Sequence, residues 1–271
     1  MSLMPKKPVP PPPAVAREPW PEIDRLGVDA AVDFTVCPTW YAVGKVMLDY
    51  AIAVLLLPIA LPLIALAALA IKLTSPGPAF YLQTRVGLGG RLFRIIKLRT
   101  MHHDCEKHSG IKWAGKHDDR VTRVGKLLRK THIDELPQLV NVLLGHMSLV
   151  GPRPERPEVI KAKGLEQLVP GYSHRLRVKP GVTGLAQVQL PPDSDITSVR
   201  YKIVHDLYYV QHQGVHFDLR LIAATVAKAL GAKPVFIRRA FLLPRREKLA
   251  AVFHQTVQVE KAEPLSQLQP A

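Results

Sequence analysis

An uncharged apolar segment limits most strongly how this chain can fold. From Tyr50 to Ile71 the sequence has no charged side chain, which is close to the length that a helix needs to cross a bilayer. Pro58 and Pro62 lie inside the segment, and each removes a backbone donor and pushes against the preceding helical turn. Because freed backbone groups are costly in hydrocarbon, the prolines argue against a simple straight span.

The charges that follow the segment bear on its orientation. By the positive-inside rule, six closely following cations place the downstream side in the cytoplasm: Lys72, Arg85, Arg91, Arg94, Lys97 and Arg99. A straight span would then export the preceding residues, which show no sign of an exported domain. A helix that enters the membrane, breaks near Pro58 and Pro62 and returns would keep both flanks in the cytoplasm. The residues alone leave the re-entrant helix and the full span both open.

The overall charge of the chain predicts an anionic partner. The formal charge is +15, from 37 Lys and Arg against 22 Asp and Glu, which suits nucleic acid, anionic lipid or a phosphorylated substrate. Aromatic residues make up only 6% of the chain, which weakens a nucleic-acid interface built on base stacking. The two cysteines, Cys37 and Cys105, form no disulfide framework and suit a reducing compartment.

Four zones follow one another along the chain. Residues 1–40 form a flexible proline-rich leader, with PVPPPPA as its clearest run, and residues 41–74 contain the apolar segment. Residues 75–232 mix helical and strand patterns. Residues 233–271 form a basic C-terminal extension, partly disordered, which combines arginines with bulky apolar residues. It could lie on an anionic membrane surface or remain a solvated tail.

The patterns in the third zone predict both strands and helices. Short alternating stretches, AFYLQTRVG and RLFRIIKLRTM, predict a β-hairpin around GLGG. Apolar spacing predicts helices over VTRVGKLLRK, LPQLVNVLLG, VRYKIVHDLYYVQHQ and DLRLIAATVAKALG. The polar stretch MHHDCEKHSGIKWAGKHDDR is predicted to be a loop. The spacing of its histidines matches no standard zinc pattern: His102, His103, His108 and His117.

Two adjacent carboxylates, Asp134 and Glu135, precede the LPQLVNVLLG helix. One interpretation is structural, because an aspartate at a helix start can accept backbone N–H bonds and cap the helix. The other is chemical, because a helix N-terminus attracts phosphate and a carboxylate beside that phosphate can attack it to form an acyl-phosphate. Glu135 would then hold a magnesium ion. The residues alone leave both interpretations open.

The chemical interpretation requires cations near the acid pair, and the sequence supplies several. Arg129 lies five residues before Asp134, and Arg153 lies in GPRP, where two prolines restrict the backbone. The glycines of KPGVTGLAQV permit close backbone approach to a nucleotide, whereas no Walker-type loop or GxGxxG motif is present. We predict that five cations bind substrate phosphate: Lys97, Arg99, Arg129, Arg153 and Lys179.

The order of these motifs resembles the bacterial sugar transferases, the monotopic polyprenol-phosphate phosphoglycosyl transferases. The resemblance runs from about Lys45 to Leu230, through IKLTSPGPAFYLQTRVG, KLRTM, DDRVTRVGKLLRKTHIDELPQLVNVLLGHMSLVGPRPE, KPGVTGLAQV and HDLYYVQH. It implies an α+β, mostly helical fold, in which a small cytoplasmic catalytic domain (75–232) sits on a proline-broken re-entrant membrane helix (41–74) with interfacial amphipathic helices. The chain has lysine at 179, where the family commonly has arginine.

The resemblance also implies an activity and a set of roles. A phosphosugar passes from a UDP-sugar to polyprenol (undecaprenyl) phosphate with Mg²⁺, as the first membrane step of glycan or exopolysaccharide assembly. Asp134 matches the nucleophile that attacks the β-phosphate and releases UMP, and Glu135 matches the acidic partner and magnesium ligand. Three cations match residues that line the phosphate site: Lys97, Arg129 and Arg153.

These implications place the chain at the cytoplasmic face of a bacterial inner membrane. The expected partners are a UDP-sugar, polyprenol phosphate and anionic membrane lipid, without nucleic acid, and a homodimer is compatible with them. The alternative is a non-catalytic, membrane-anchored basic scaffold that binds anionic lipid or nucleic acid. A scaffold explains the charge and the apolar helix, but it does not explain an acid pair set among cations.

Overall fold

The structure is a computed structural model that describes residues 39–103, 105, 118–251 and 253. This part of the chain is mostly helical with two small sheets, which confirms the α+β, mostly helical class. Residues 1–38 of the predicted leader lie outside the described residues, as do His108 and His117 of the predicted loop and residues 254–271 of the extension; residues 39 and 40 begin the first helix.

The first half of the described chain contains the apolar helix, a hairpin and the acid pair. Its elements are α1 (Thr39–Thr74), β1 (Phe80–Val86), a 3-10 turn (Leu88–Gly90), β2 (Leu92–Leu98), α2 (Arg123–Thr131), a second 3-10 turn (Ile133–Glu135) and α3 (Gln138–Leu143).

The second half packs short helices around one long buried helix. Its elements are β3 (Ser148–Val150), α4 (Pro157–Lys163), α5 (Leu165–Leu168), a third 3-10 turn (Tyr172–Arg177), β4 (Gly181–Thr183), α6 (Leu185–Gln189), α7 (Ile196–His212), α8 (Val215–Ala229) and α9 (Pro234–Ala240). Residues 246–251 are also helical, so part of the extension is folded.

The predicted hairpin is confirmed. Strands β1 and β2 pair antiparallel, with Phe80 opposite Leu98 and Val86 opposite Leu92. The connecting turn needs backbone conformations that glycine adopts readily, because Gly89 and Gly90 have φ of 61° and 78°. The hairpin carries Lys97 toward the acid pair, as described below.

Helix α1 corrects one expectation. Pro58 and Pro62 do not divide the segment into two helices, because the helix is continuous from Thr39 to Thr74 and contains both prolines. A proline inside a helix removes one i→i−4 bond, and the remaining bonds hold the secondary structure. The two prolines lie four residues apart and therefore on the same face, which is exposed. Any bends that they cause therefore add rather than cancel.

One stripe of α1 packs along the rest of the protein. Small and branched side chains recur at helical spacing on its buried face: Ala53, Ala60, Ile64, Ala67 and Ile71. The other faces carry exposed large apolar side chains such as Met47, Leu55 and Leu73, which are 68%, 71% and 77% exposed. The helix is long and apolar enough to cross a membrane, by length and composition alone.

Both ends of α1 contact the same folded unit. Near its start the Tyr41 hydroxyl and the Lys45 ammonium both donate to Asp218 of α8, at 2.9 and 2.8 Å. Just past its end, Arg99 donates to the carbonyl oxygens of Ser75 and Pro76. The folded domain therefore holds the two ends of the apolar helix on its own side.

The long helix α7 lies at the centre of the second half. Asp195 and Ser198 form a reciprocal capping box at its start, and residues from Val199 to Val210 are almost all buried. The Tyr209 hydroxyl lies within hydrogen-bond distance of both the Val150 carbonyl of β3 and the Asp218 carboxylate, at 3.1 and 2.8 Å. Since β3 leads directly into Gly151 and the GPRP turn, this packing fixes the start of the loop that carries Arg153.

Candidate active site

The acid pair lies in a tight turn between two helices. Helix α2 ends at His132, whose left-handed backbone (φ 57°) reverses the chain. The next three residues, Ile133–Glu135, form a single 3-10 turn before α3 begins at Gln138. The residue that caps α3 is Pro137, and it has no side-chain cap. Asp134 is therefore not the N-cap of that helix, which removes the structural interpretation of its carboxylate.

Asp134 is buried, with 8% of its surface exposed. Burial and the neighbouring Glu135 carboxylate raise the pKa of Asp134 to about 6, although three nearby cations act in the opposite direction: Lys97, Arg129 and Arg153. A carboxylate with this pKa is mostly ionised at neutral pH yet poorly solvated. Such a group is a better nucleophile than one surrounded by water.

Glu135 differs from its neighbour because two cations clamp it. The Lys97 ammonium lies 2.8 Å from its Oε1, and the Arg153 guanidinium donates to Oε1 at 2.5 Å and to Oε2 at 3.3 Å. Burial alone would raise the pKa of Glu135, but Arg153 and Lys97 outweigh it and hold the pKa well below the usual range. Glu135 therefore stays ionised throughout the neutral range.

Lys97 reaches the acid pair from the hairpin. Burial, together with the charge of Arg153, lowers the pKa of the Lys97 ammonium to about 8, and Glu135 offsets part of that shift. The amine therefore begins to lose its proton just above neutral pH. Lys97 is the site cation whose charge is most sensitive to mildly alkaline conditions.

Arg153 is held in place by contacts to the backbone around it. Arg85 Nη1 donates to the Pro154 carbonyl at 2.9 Å, and Arg175 Nη2 donates to the carbonyl of Arg153 itself at 2.5 Å. The backbone N–H of Val86 donates to the Glu155 carbonyl at 2.9 Å. The flanking prolines restrict the same stretch. The guanidinium is thus presented to Glu135 from a backbone that is fixed on several sides.

A buried charge network supports the GPRPE stretch, and sequence reasoning missed it. Arg175 pairs with Asp206 at 2.9 Å, and each side chain is 2% exposed. Lys202 pairs with Glu155 and, at 2.8 Å, with Asp193. The signal that could have revealed the network is charge inside α7, where Lys202 and Asp206 lie four residues apart on a helix that is otherwise largely apolar and buried.

Arg129 joins the site from α2. Its Nε donates to the Thr100 hydroxyl at 2.8 Å, which orients the guanidinium. Its positive charge is close enough to lower the pKa of Asp134. The structure therefore brings together three of the five predicted phosphate-binding cations around the acid pair: Lys97, Arg129 and Arg153.

The other two predicted cations are placed differently. Arg99 is 6% exposed, and its guanidinium donates to the carbonyl oxygens of Ser75 and Pro76. These two contacts brace the turn after α1, because Nη1 and Nη2 both donate to carbonyl oxygens of that turn. Lys179 lies at the opposite end of α3 from the acid pair, with its ammonium beside Gly145. Neither residue has a described contact that links it to Asp134 or Glu135.

The acid pair supplies part of the set of oxygen donors that magnesium requires. The described residues contain no group of three or more His, Cys, Asp or Glu side chains that could hold an ion by themselves. Mg²⁺ is commonly held by one or two carboxylates together with substrate phosphates and water. Oε1 of Glu135 already accepts two short contacts, but Oε2 accepts only the longer one from Arg153. The acid pair therefore fits a magnesium ion that substrate phosphate completes.

Comparison with known proteins identifies relatives of one kind. A family model described as bacterial sugar transferase matches residues 40–232. The UDP-N-acetylgalactosamine-undecaprenyl-phosphate N-acetylgalactosaminephosphotransferase of Aeromonas hydrophila is 44% identical over 190 residues, which are 70% of this chain and 44% of that protein. The UDP-glucose:undecaprenyl-phosphate glucose-1-phosphate transferase of Caulobacter vibrioides is 47% identical over 192 residues, 69% of each chain.

A third relative extends the comparison to a shorter protein. The exopolysaccharide production protein PSS of Rhizobium leguminosarum is 44% identical over 173 residues, which are 62% of this chain and 86% of that protein. The matched part of the chain thus spans less than half of the Aeromonas protein but most of the Rhizobium one. The named sugars of the first two relatives differ, because one name specifies N-acetylgalactosamine and the other glucose.

Proposed function

The chain belongs to the bacterial sugar transferase family, as the order of its motifs predicted, and from this premise we propose that it transfers a sugar 1-phosphate from a UDP-sugar to undecaprenyl phosphate. The observation that carries the proposal is the asymmetry of the acid pair. Glu135 is ionised and clamped by Lys97 and Arg153, whereas Asp134 is desolvated, with a pKa of about 6. Adjacent carboxylates in such different environments suit two different chemical roles.

In the first step, Asp134 acts as the nucleophile. One carboxylate oxygen attacks the β-phosphorus of the UDP-sugar, and the bond from that phosphorus to the oxygen that bridges the two phosphates breaks. The bridging oxygen keeps the electron pair and leaves as part of UMP. The product on the enzyme is an aspartyl phosphosugar, an acyl-phosphate that divides one difficult transfer into two easier ones.

The surrounding cations support this step electrostatically. Arg153 is fixed through its own backbone carbonyl and that of Pro154, and the partly buried Lys97 contacts the same Glu135 oxygen. Positively charged donors that are already in position stabilise the charge that develops on the transferred phosphoryl group without having to reorganise. Arg129, oriented by Thr100, adds a third positive charge near Asp134.

In the second step, the lipid phosphate accepts the phosphosugar. An oxygen of undecaprenyl phosphate attacks the same phosphorus, and the bond to the Asp134 oxygen breaks. The carboxylate is regenerated, and the sugar leaves as a lipid-linked diphosphate. The acceptor is membrane-bound, so the acid pair has to lie near the bilayer surface.

We propose Mg²⁺ as the cofactor, which Glu135 would hold together with substrate phosphate, with Asp134 nearby. When bound, Mg²⁺ would offset the repulsion between an anionic carboxylate and an anionic diphosphate. Lys97 and Arg153 keep Glu135 ionised, so its ability to bind a hard cation does not depend on pH in the neutral range.

The membrane placement that fits this chemistry is a re-entrant helix at the cytoplasmic face. Helix α1 contacts the domain near Tyr41 and again near Ser75, so both ends lie on the domain's side. A proline ring crowds the carbonyl one turn earlier and bends a helix away from its own side. Pro58 and Pro62 lie on the exposed face, so bending there would curve that apolar face outward, toward the lipid, while the stripe from Ala53 to Ile71 stays packed on the domain. The many cations after α1 favour the cytoplasmic side.

The scaffold alternative does not explain the geometry of the site. A scaffold has no use for an acid pair that inward-facing cations hold in place, yet Lys97 is directed inward onto Glu135, with a side chain that is 14% exposed. The identity of the sugar is not encoded by these contacts, and the first two relatives named above carry different sugars in their names. Exopolysaccharide assembly is the pathway that the name of the Rhizobium relative suggests.

The test is UMP release by the purified protein with Mg²⁺, undecaprenyl phosphate and a panel of UDP-sugars. We expect at least one sugar nucleotide to yield UMP, and the Asp134→Asn variant to yield none. Asp119→Asn is the matched control, because Asp119 is exposed. UMP release from no sugar nucleotide, or equal release by the Asp134→Asn variant, would contradict the proposal.

A further inference from the structure

A groove rich in arginine lies on the side of α8 and α9, in part beyond the residues that the family model matches. We propose that this groove, with the exposed Leu242 in its lining, is a docking surface for anionic phospholipid headgroups. The surface is called the arginine groove here. Its cationic residues are Arg220, Arg238, Arg239, Arg245, Arg246 and Lys248. This proposal concerns lipid binding alone and does not depend on the catalytic assignment.

The charge of the groove is strongly one-sided. Among its described lining residues, Glu247 is the one carboxylate. Arg239, Arg245 and Lys248 are exposed. Like charges held this close on a folded surface repel one another, so an anionic partner would relieve their repulsion. Lipid phosphates at a membrane surface supply such a partner at high density.

The arginines are carried by folded chain rather than by a loose tail. Ile237, Leu243 and Leu249 are 1%, 4% and 0% exposed, so the extension is anchored in the core. Arg220 of α8 donates to the carbonyl oxygens of Phe241 and Leu242 and so fixes the turn after α9. A prearranged set of cations loses less conformational freedom on binding than a flexible tail would lose.

The turn at Leu242 is the most specific feature of the surface. Leu242 has φ of 49°, in the left-handed region that a leucine rarely adopts, and its side chain is 76% exposed among the arginines. A strained backbone that presents a bulky apolar side chain to solvent is unfavourable for folding alone and therefore suggests a binding role. Outside the groove lining, at the end of α8 and the start of α9, three further apolar side chains are exposed: Leu230, Val235 and Phe236, at 84%, 54% and 61%.

Cations beside exposed apolar side chains are typical of a membrane interface. The apolar groups enter the region between headgroups and acyl chains, while the cations pair with anionic lipid phosphates. The groove shares helix α8 with the contact to the apolar helix, because Asp218 of α8 accepts hydrogen bonds from both Tyr41 and Lys45 of α1 and Arg220 of the groove lies two residues further along α8. A second copy of the chain fits less well, since a two-fold contact would bring two cationic grooves together.

The experiment uses the full chain in nanodiscs. One preparation contains phosphatidylcholine alone, and the other contains a mixture of phosphatidylcholine and phosphatidylglycerol. An environment-sensitive fluorophore is attached through Ala240→Cys, after Cys37 and Cys105 are changed to serine. We expect a blue shift of the emission and protection from an aqueous quencher in the anionic nanodiscs only, and we expect added salt to weaken both.

Two pairs of charge-removing substitutions, one in the groove and one elsewhere, distinguish binding at this surface from a general effect of the protein's positive charge. Arg239→Gln with Arg245→Gln should abolish the blue shift, while Lys161→Gln with Lys163→Gln, two exposed lysines around α4, should leave it unchanged. An equal shift in both kinds of nanodisc would overturn the proposal. A shift that appears only together with a doubled protein mass in the nanodisc would also overturn it, in favour of a second copy of the chain.

Discussion

The Arg153 guanidinium holds the Glu135 carboxylate, eighteen residues earlier in the chain, at 2.5 Å from Oε1 and 3.3 Å from Oε2. This pair leaves Asp134 as the less paired member of two adjacent acids. Local sequence alone could not produce such a difference, because the two carboxylates share one turn. The partners come from other elements, Lys97 from β2 and Arg153 from the GPRP stretch.

The pH dependence of activity follows from Asp134 and Lys97. The pKa of Asp134 is raised to about 6, so the nucleophile is protonated and inactive below that pH, and the rate should rise as pH increases through about 6. The pKa of Lys97 is lowered to about 8, so its charge and the activity should decline as pH rises through about 8. We expect a bell-shaped profile of kcat/KM, measured by UMP release.

The Lys97→Arg variant tests the alkaline side of that profile. Arginine stays charged throughout the accessible range, so the decline near pH 8 should disappear even if the rate at the optimum is lower. A profile with an unchanged alkaline side would show that another group controls it. The acid side should stay near pH 6, because Asp134 is intact.

Changing Asp134 should stabilise the fold while it removes activity. In the folded protein the pKa of Asp134 is about 6, which is higher than in the unfolded chain. The protonated carboxyl therefore favours folding at low pH, and this contribution is lost as pH rises through about 6. Asp134→Asn removes the buried charge. At pH 8 it should therefore raise the free energy of unfolding, by about 1–3 kcal/mol. Thermal unfolding at pH 4 and pH 8 checks this, since the gain should be present only at pH 8.

The function of Arg153 should require the two parallel donors of its guanidinium group and not only its positive charge. Arg153→Lys keeps the positive charge but loses the two-pronged contact with Glu135. We expect kcat to fall roughly 10- to 100-fold, because the positioning of the phosphate site is disturbed. Arg123→Lys, at an exposed position in α2, is the control. A loss confined to KM would contradict this, because it would mean that Arg153 stabilises the bound substrate and the transition state equally.

The buried pair of Arg175 and Asp206 should behave as a unit. Asp206→Asn alone leaves a buried guanidinium without its counter-charge, and we expect a loss of about 3–5 kcal/mol in the free energy of unfolding. Arg175→Met with Asp206→Leu should be less destabilised than either single change. Denaturant unfolding of the four proteins measures the coupling, and simple additivity would contradict a specific pair.

Both ends of α1 should be accessible from the same side of the membrane. Val43 and Leu73 are exposed, at 56% and 77%, near the start and the end of the helix. Single cysteines at these positions, in a chain without native cysteines, should react with a membrane-impermeant reagent in inverted vesicles but not in intact spheroplasts. Labelling of the two positions from opposite sides would establish a full span instead.

The hairpin and several helices were predictable because they depend on local patterns. GLGG between two alternating stretches indicated the turn, and Gly89 and Gly90 do adopt left-handed backbone conformations. The helix over VTRVGKLLRK lies within one or two residues of α2, which Thr122 caps. The proximity of three cations to the acid pair was also predictable, because Lys97, Arg129 and Arg153 lie in conspicuous basic or proline-rich contexts.

The sequence did not predict contacts between residues that are distant along the chain. Arg99 lies two residues from Lys97, but in a hairpin strand alternate positions share a face only while the strand lasts, and β2 ends at Leu98. Its guanidinium therefore reaches Ser75 and Pro76 instead of the acid pair. The network of Arg175 and Lys202 was missed because its charges lie in α7 and the preceding turns. Only the packed fold reveals that they are buried.

The central claim is that Asp134 bonds transiently to phosphorus, and intact-protein mass spectrometry tests it most directly. The purified protein is incubated with Mg²⁺ and a UDP-sugar that supports UMP release, with the lipid acceptor left out. The account predicts a mass increase of one sugar phosphate on the wild-type chain and on Asp119→Asn, none on Asp134→Asn, and loss of the adduct when undecaprenyl phosphate is added. An active preparation that never carries the adduct, or an adduct that persists in Asp134→Asn, would contradict it.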